Sequence, residues 1–441
     1  MSFKIENKIK NSLGRAGSLS TAYGDILTPA FVTVGTKATV KSLSPEQVKE
    51  TGSQVVLANT YHLYLEPGEK LIKEAGGIHN FMNWLGPTMT DSGGFQAFSL
   101  GVAYGNKLSK FIGAESPEQE EIDEAYDEAK EKKAKITENG VEFKSIIDGS
   151  THFFTPEKSI QIQNDIGADI IFAFDECTSP HASKEYLKEA MERTHRWAKR
   201  CLVEHKKCQK KKHSLEQPGY FSTEKSPHSP ASRGPRVALK DVSFSSPLLH
   251  LGEGAGGEVF GIVQGGRYEN LRKESAKVIG EMEFGGFGIG GSFVKEDMAT
   301  AVKWVNKILP EEKPRHLLGV GEPVDLILGV ENGCDTFDCV LPTRLARNGT
   351  LYTKHGKINI MNAKYKNIFE PIDEGCGCYA CKNYTIAYLS HLFRSKEMFA
   401  STLASIHNLY FLNNLMSQIR ESILSGTFFD FKNNFLDSYK L

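Results

Sequence analysis

The 441-residue chain lacks several features that would assign it to a special class of protein. It contains no run of the roughly 18 to 20 apolar residues that a membrane-spanning helix needs, so we expect no membrane association. Its amino-terminal stretch, MSFKIENKIKNSLGRAGS, has no apolar core, so we expect no secretory signal and a cytoplasmic location. The formal net charge is only -1, so a nucleic acid would have to be bound by a local basic surface.

Cysteine is also scarce, and three of the eight cysteines crowd into CGCYAC as Cys376, Cys378 and Cys381. In a long chain without a secretory signal, such clustering indicates a metal site more than disulfides. A tetrahedral zinc site needs a fourth ligand, and His391 and His407 both lie downstream. We favour His407, because a long helix can return it to the cysteines. The pattern predicts one closed, structural Zn²⁺ site, with a redox-active thiol cluster as the alternative and His391 as a core or interface residue.

Eight short apolar or β-branched runs recur along the chain, and helix-like stretches separate most of them. The runs lie at 30–35, 54–62, 88–94, 169–176, 258–266, 285–292, 316–322 and 336–342. Strands that alternate with helices predict a parallel sheet covered by helices, and eight strands fit a (β/α)8 barrel better than an open sheet. We therefore expect an α/β protein with a (β/α)8 TIM barrel over residues 1–370. A zinc-binding subdomain and carboxyl-terminal helices are expected over residues 371–441.

Polar residues or glycines stand at the carboxyl tips of six of these runs, where barrel enzymes build their active sites. The six are Asn59, Asp91, Asp175, Gln264, Gly291 and Asp338. Polar residues often simply end strands, but six such tips favour an active site. The stretch DSGGFQAFSL adds Gly93 and Gly94 directly after Asp91. Two residues without side chains let the chain turn sharply or let a ligand approach the backbone.

Two stretches have the composition of insertions. The first, at about 104–150, holds SPEQEEIDEAYDEAKEKKAKI, expected to be a solvated helix or a mobile loop, and then GVEFKSIIDG, expected to be a hairpin arm. The second, at about 204–256, runs from EHKKCQKKKH into the Ser/Pro/Gly-rich STEKSPHSPASRGPR. We interpret it as a flexible surface excursion, because that composition buries little. Its lysines are more typical of a solvated face than of a phosphate-binding surface.

Seven motifs, taken in order, resemble those of the bacterial-type tRNA-guanine transglycosylases (queuine tRNA-ribosyltransferases). They are TDSGGFQAFSLG, FDECT, GIVQGG, GIGGS, LLGVGEPVDLI, FDCVLPTRLARNG and the Cys3His knuckle, within residues 28–100, about 142–200 and 258–440. The resemblance implies a (β/α)8 barrel with an inserted zinc subdomain that acts as a homodimer. It further implies a pentosyltransferase of queuosine biosynthesis. Such an enzyme acts on the tRNAs for Asp, Asn, His and Tyr, which have GUN anticodons. It replaces their wobble guanine with a 7-deazaguanine, usually preQ1.

The resemblance also assigns roles to residues of this chain. It implies that Asp338 attacks the ribose C1′ to form a covalent tRNA–enzyme intermediate, and that Asp91 is the general acid/base, as in a retaining glycosidase. Arg344 and Arg347 would contact tRNA, with an internal salt bridge as the alternative for Arg344. Asn59 is expected to support the ribose or orient Asp338. The residues implied to bind the base are Asp91, Ser92, Gly93, Gly94, Phe95 by stacking, Asp175, Gln264 and Gly291.

The chain departs from the family pattern in a loop that lines the pocket for the position-7 substituent of the base. Where family members read GGLAVGE, this chain continues from Gly291 into Ser292 and Phe293. The preferred base is therefore left open between preQ1, queuine and another base.

Two further alternatives for the function of the chain are a non-catalytic tRNA-binding partner subunit, which need not keep both acids, and an unrelated zinc-dependent barrel hydrolase, which needs an open metal position. The series Tyr384, Tyr388 and His391 is expected either to form a dimer contact or to pack inward.

Overall fold

The computed structural model describes residues 1–97, 134–179, 182–215, 257–291 and 297–440. The strands found there are β1 (Ser2–Lys8), β2 (Arg15–Thr21), β3 (Gly24–Thr28), β4 (Ala30–Val34), β5 (Val56–Ala58), β6 (Thr88–Thr90), β7 (Ala134–Thr137), β8 (Gly140–Lys144), β9 (Thr151–Phe154), β10 (Ile170–Phe172), β11 (Glu258–Val263), β12 (Gly286–Ile289), β13 (Arg315–Leu317), β14 (Thr336–Cys339), β15 (Thr350–Thr353) and β16 (Gly356–Asn359). The α-helices found there are α1 (Pro45–Glu50), α2 (Thr60–Leu65), α3 (Glu69–Glu74), α4 (Ile78–Met82), α5 (Pro156–Ile166), α6 (Lys184–Leu215), α7 (Glu269–Gly280), α8 (Met298–Asn306), α9 (Pro323–Glu331), α10 (Leu341–Arg347), α11 (Tyr379–Asn383), α12 (Ile386–Arg394), α13 (Met398–Leu424) and α14 (Phe428–Ser438).

Eight parallel strands close into a barrel in the order β10-β11-β12-β13-β14-β4-β5-β6. The closing pair aligns β14 with β4 from Thr336 opposite Ala30 to Cys339 opposite Thr33. Each of the eight runs predicted from the sequence supplies one of these strands, so the predicted (β/α)8 barrel is confirmed. The strands are shorter than the runs because the polar tips leave the sheet. After β5, for example, Asn59 caps the amino terminus of α2.

A three-stranded antiparallel sheet, β1-β2-β3, closes the amino-terminal end of the barrel. Leu19 and Ile26 of this sheet belong to the same buried cluster as Val32, Phe172 and Phe260 of the barrel strands. The sequence analysis did not predict this sheet, because its strands are not strongly apolar. Among the described residues, side chains of this sheet therefore fill the barrel at the end opposite the carboxyl ends of the strands.

The barrel helices begin and end where local chemistry satisfies their terminal backbone groups. Helix α1 starts with a capping box, in which Ser44 and Gln47 bond to each other's backbone N–H. Helix α5 starts with Thr155 accepting from the N–H of Lys158 and ends at Gly167, whose φ of +80° suits a residue without a side chain. These caps place the packed helices directly between successive barrel strands.

The two expected insertions are described only in part. Strand β8 pairs with β7 and β9, which confirms the hairpin arm predicted in GVEFKSIIDG; residues 104–133 lie outside the described residues. Helix α6 continues to residue 215, so the expectation that the surface excursion begins near 204 is wrong. Glu204 of this helix is buried against α5, where it accepts from Gln161 Nε2 at 2.7 Å. Residues 216–256 lie outside the described residues.

The carboxyl-terminal helices pack on the outside of the barrel. Helix α13 buries an apolar face formed by Leu409, Leu412, Met416, Ile419 and Ile423. It is also tied to the barrel by polar contacts, because the Asn413 side chain donates to the Thr51 carbonyl at 3.1 Å. Among the described residues, no helix is both long enough and apolar enough to cross a membrane. The division at residue 370 into barrel and subdomain stays a prediction.

A buried ion pair generates a test of the barrel's amino-terminal end. Arg15 and Asp335 form a bidentate pair at 2.9 and 2.7 Å, and both side chains are essentially inaccessible. Replacing Asp335 by Ala leaves a buried guanidinium without its carboxylate, so we expect about 3–5 kcal/mol of destabilisation, measured as a lower urea midpoint. Asp165→Ala is the control, because the Lys73–Asp165 pair is 65% and 31% exposed and should contribute less than about 1 kcal/mol. Equal midpoints for the two variants would contradict this account.

Candidate functional site

Asp91 lies immediately after β6, and three donors converge on its carboxylate. The backbone N–H groups of Thr60 and Gly93 donate to Oδ1 at 2.9 and 3.2 Å, and Asn59 Nδ2 donates to Oδ2. The Asn59 side chain is itself oriented, because its Oδ1 caps α2 by accepting from the His62 N–H at 3.0 Å. The expectation that Asn59 orients Asp338 is therefore wrong, since its amide holds the other acid.

The environment of Asp91 raises the pKa of its carboxyl group to about 7. Burial is the main cause, because a carboxylate loses hydration there. The hydrogen bond from the Thr60 backbone acts in the opposite direction, and the negative charge of Asp338 raises the pKa further. Near neutral pH the group exists in both protonation states, as a residue that both gives and takes a proton requires.

Asp338 lies in β14, on the same carboxyl face of the barrel as Asp91. Its Oδ1 accepts from His316 Nε2 at 3.0 Å and from the Gly319 backbone N–H at 3.0 Å. The side chain is 16% exposed, whereas His316 is fully buried. The sequence analysis did not single out His316. The sequence feature that could have identified His316 is its position at the start of the run HLLGVGE, in a strand whose other residues are expected to be apolar.

Asp175, Ser92 and Gln264 form a second polar group on this face. Ser92 Oγ donates to Asp175 Oδ1 at 3.0 Å, and Gln264 Nε2 donates to Asp175 Oδ2 at 2.7 Å. All three residues are buried. Gln264 Oε1 has no hydrogen-bond partner among the described residues. A buried carboxylate beside an unsatisfied amide oxygen can hold a ligand that presents several N–H donors.

Three glycines allow the backbone to come close to this polar group. Gly93 has φ of +74°, and a Cβ on Gly94 would lie 2.7 Å from the Asp175 carbonyl oxygen. Gly291 has φ of +84°, and a Cβ there would lie 2.7 Å from Gln264 Oε1. Both explanations offered for glycine after Asp91, a sharp turn and a close approach, therefore apply.

For the remaining predicted residues, the structure gives a position but no evidence of a role, or does not describe the residue. Phe95 is half-buried beyond the glycine pair, and its stacking on a base stays a prediction. Ser292 and Phe293 lie outside the described residues. Arg344 and Arg347 lie in the last turn of α10, with Arg344 exposed. Neither forms an ion pair with a described residue, so the alternative of an internal salt bridge for Arg344 is not seen. Partial burial and the charge of Arg344 lower the pKa of Arg347.

The predicted cluster of three cysteines and one histidine could hold a metal ion. The Sγ atoms of Cys376, Cys378 and Cys381 and Nδ1 of His407 all lie within 4.8 Å of one another. Nδ1 lies 3.5 Å from the Cys378 Sγ and 3.4 Å from the Cys381 Sγ. In a tetrahedral site with metal–sulfur and metal–nitrogen bonds of ordinary length, a sulfur and a nitrogen ligand atom lie about 3.5 Å apart, so these distances fit such a site.

The surroundings of His407 suit a metal ligand. Its Nε2 lies 2.6 Å from the Tyr352 carbonyl oxygen, which can only accept, so Nε2 carries the hydrogen and Nδ1 is left to bind a metal. Helix α13 supplies His407 from a buried position, whereas His391 is exposed on α12 and is not in the cluster. The preference for His407 over His391 is thus confirmed by the geometry.

Asn408, the residue after His407, connects this cluster to the segment of the chain that follows Asp338. Asn408 Nδ2 donates to the carbonyl oxygens of Pro342 in α10 and Thr350 in β15, both at 3.0 Å. Its Oδ1 accepts from the Tyr352 N–H at 3.1 Å. A metal that fixes α13 therefore also fixes the segment that runs directly on from β14.

Comparison with known proteins gives a consistent result. The family model described as "Queuine tRNA-ribosyltransferase" matches residues 10–225 and 246–441. Three relatives carry the name queuine tRNA-ribosyltransferase. The one from Desulforamulus reducens is 44% identical over 98% of this chain and 97% of its own length. The one from Thermoanaerobacter pseudethanolicus is 44% identical over 99% and 97%. The one from Fusobacterium nucleatum is 42% identical over 100% and 98%.

The cluster geometry predicts the metal content of two histidine variants. We expect about one equivalent of metal in the purified wild type. His407→Ala removes one of the four side chains of the cluster, so this variant should contain little metal, and its α13 should become more accessible to protease. His391→Ala should keep both the metal and the protease resistance of the wild type. Elemental analysis by mass spectrometry and limited proteolysis measure the two effects. Full metal content in the His407 variant would show that the four residues are not the ligand set.

Proposed function

The chain belongs to the queuine tRNA-ribosyltransferase family, and on that premise we propose that it exchanges the wobble guanine of GUN-anticodon tRNAs for a 7-deazaguanine in queuosine biosynthesis. The observation that supports this most is the pair of carboxylates, Asp91 and Asp338, at the open end of the barrel. A retained ribose configuration requires two successive displacements at C1′, and these need a nucleophile and a separate acid/base. A non-catalytic partner subunit would not need both groups.

In the first displacement, the ionised carboxylate of Asp338 forms a bond to C1′ of the target ribose. The bond between C1′ and N9 of guanine breaks, and its electron pair leaves with the base. The carboxyl proton of Asp91 is transferred to that departing base. The tRNA is then attached to the protein through an ester-like bond, and Asp91 is ionised.

In the second displacement, Asp91 takes the proton from the corresponding N–H of the incoming 7-deazaguanine. The nitrogen forms a bond to C1′, and the bond to Asp338 breaks, which returns the carboxylate. Each acid ends the cycle in its starting protonation state. The pKa of about 7 at Asp91 supports this double role, since neither protonation state is strongly disfavoured near neutral pH.

We propose that the buried polar group around Asp175 recognises the base. A guanine-like edge presents an N1–H and an exocyclic amine, and the Asp175 carboxylate can accept from both. In the ligand-free arrangement Gln264 Nε2 donates to Asp175, so an arriving base would release this amide to donate to its O6 together with the Gly291 N–H. Ser92 would keep the carboxylate oriented, and Phe95 would stack on the ring. A base lacking these donors would leave buried groups unpaired.

Arg344 and Arg347 are proposed to contact the tRNA backbone near the target nucleotide. Two neighbouring arginines without carboxylate partners among the described residues form a local cationic site, which the overall charge of -1 does not provide. Phosphate contacts would set the position of the tRNA, and the extruded base would carry the recognition. A tRNA substrate is consistent with a cytoplasmic location.

We propose that the metal is one structural Zn²⁺ per subunit, bound by Cys376, Cys378, Cys381 and His407. Three thiolates and one imidazole are a ligand set typical of zinc, and they leave no position open for substrate. When bound, the ion supplies a fixed charge that holds the four side chains together. Its effect on activity would be indirect, through α13 and the segment after Asp338.

A homodimer is proposed from the aromatic surface beside the metal cluster. The Tyr384 and Tyr388 rings stack with centroids 5.3 Å apart, and Phe399 packs edge-on to Tyr384. Tyr388 is 40% exposed and Met398 is 88% exposed, which favours a surface contact over inward packing.

The function is tested by incubating the protein with an anticodon stem-loop and labelled guanine, preQ1 or queuine. The wild type should exchange the wobble base and form a covalent RNA–protein adduct that survives a denaturing gel. Asp338→Asn should reduce exchange by at least about 1,000-fold and form no adduct, because an amide is not a competent nucleophile. The exposed Asp437→Asn is the matched control and should behave as wild type. If the wild type forms no adduct with any base, the proposal is wrong. The base captured fastest identifies the physiological donor.

The raised pKa of Asp91 predicts opposite pH dependences for the two half-reactions. Adduct formation uses the protonated acid, so its single-turnover rate should fall as pH rises through about 7. Capture of the adduct by free base uses the ionised form, so its rate should fall as pH drops, through a lower value, because esterified Asp338 no longer carries the charge that raises the Asp91 pKa. Rapid-quench measurements from pH 5.5 to 8.5 separate the steps. The same pH dependence for both steps would contradict the assignment of Asp91.

A further inference from the structure

His316 is a fully buried imidazole inside the barrel, in contact with the side chain proposed as the nucleophile. Its Nε2 lies 3.0 Å from Asp338 Oδ1, and its Nδ1 lies 2.9 Å from Thr336 Oγ1. The Phe172 ring packs beside it, with ring centroids 5.3 Å apart. Both ring nitrogens are therefore satisfied, as burial of a polar ring requires.

The strand register explains this arrangement. Thr336 and Asp338 are two residues apart in β14, so their side chains point to the same face of the strand. His316 of β13 is aligned with Thr336 in the parallel ladder, and its ring extends along the barrel axis to Asp338. The geometry thus comes from two adjacent, hydrogen-bonded strands of the barrel.

The hydrogen bond to Asp338 specifies that Nε2 of the ring acts as a donor. An ionised carboxylate can only accept, so Nε2 must donate its hydrogen to Asp338. The hydroxyl of Thr336 can donate to Nδ1 or accept from it, so it satisfies that nitrogen and holds the ring with Nε2 directed at Asp338.

We propose that His316 is a positioning residue for Asp338 and that Thr336 holds the imidazole ring in place through Nδ1. This inference rests on the proposed function. Together with the Gly319 N–H, His316 Nε2–H holds the carboxylate in one orientation before it attacks C1′. The same two donors receive the negative charge that returns to Asp338 when the ester-like bond breaks. Base recognition uses the separate group around Asp175, so loss of His316 should slow turnover without weakening binding.

A matched pair of substitutions tests the donor. Gln and Met are similar in size, but only the Gln side chain carries an N–H that can reach the position of Nε2. His316→Met should lower kcat by about 10- to 100-fold, with the KM values for base and stem-loop changed less than about 3-fold. His316→Gln should restore most of the lost rate. At the neighbouring position, Thr336→Val should lower kcat and Thr336→Ser should not.

Several outcomes would overturn the inference. A His316→Met enzyme with wild-type kcat would do so, as would equal impairment of the Met and Gln variants with matching losses in urea midpoint. If His316→Met does not fold, the comparison of Thr336→Val with Thr336→Ser decides, and equal kcat values for these two would reject the proposed network. A wild type that forms no covalent adduct rejects the proposed function and this inference with it. An active wild type matched by His316→Met rejects this inference alone.

Discussion

The closeness of two carboxyl groups at one end of a closed barrel is the constraint on which the rest of the structure depends. Asp91 follows β6 and Asp338 lies in β14, and only β4 and β5 separate these strands in the barrel. Burial raises the pKa of Asp91, and the charge of Asp338 raises it further, so one acid can hold a proton while the other stays ionised. A pair of this kind suits a reaction in which one group attacks and the other transfers a proton.

Other parts of the molecule hold this pair in place without contacting it. The amino-terminal sheet and the buried Arg15–Asp335 pair close the far end of the barrel. On the outside, His407 and Asn408 of α13 bond to β15 and α10, which follow Asp338 along the chain. The cluster of three cysteines and one histidine is therefore connected to the segment after Asp338 by hydrogen bonds from side chains of α13 to backbone carbonyls.

Much of the fold and of the candidate site could be predicted from residue patterns, for identifiable physical reasons. Parallel strands covered by helices are apolar on both faces, so all eight barrel strands were visible, and their polar ends marked the carboxyl face. The spacing of the three cysteines limited the metal site to one turn. The errors involve contacts that no local pattern encodes. Asn59 bonds to Asp91 and not to Asp338, α6 extends to residue 215, and His316 was missed because one buried histidine gives no periodic signal.

The order of residue types alone determined the barrel class, the set of acids, amides and glycines at its open end, and the composition of the metal cluster. Periodicity and ligand chemistry depend on neighbours in the chain, so they can be read without coordinates. Only the tertiary structure decided which donor faces which oxygen: Asn59 toward Asp91, Gln264 toward Asp175, and His316 toward Asp338. Hydrogen bonds and pKa values depend on distances of a few ångströms. The atoms that lie this close together here belong to residues 22 to 89 positions apart in the sequence.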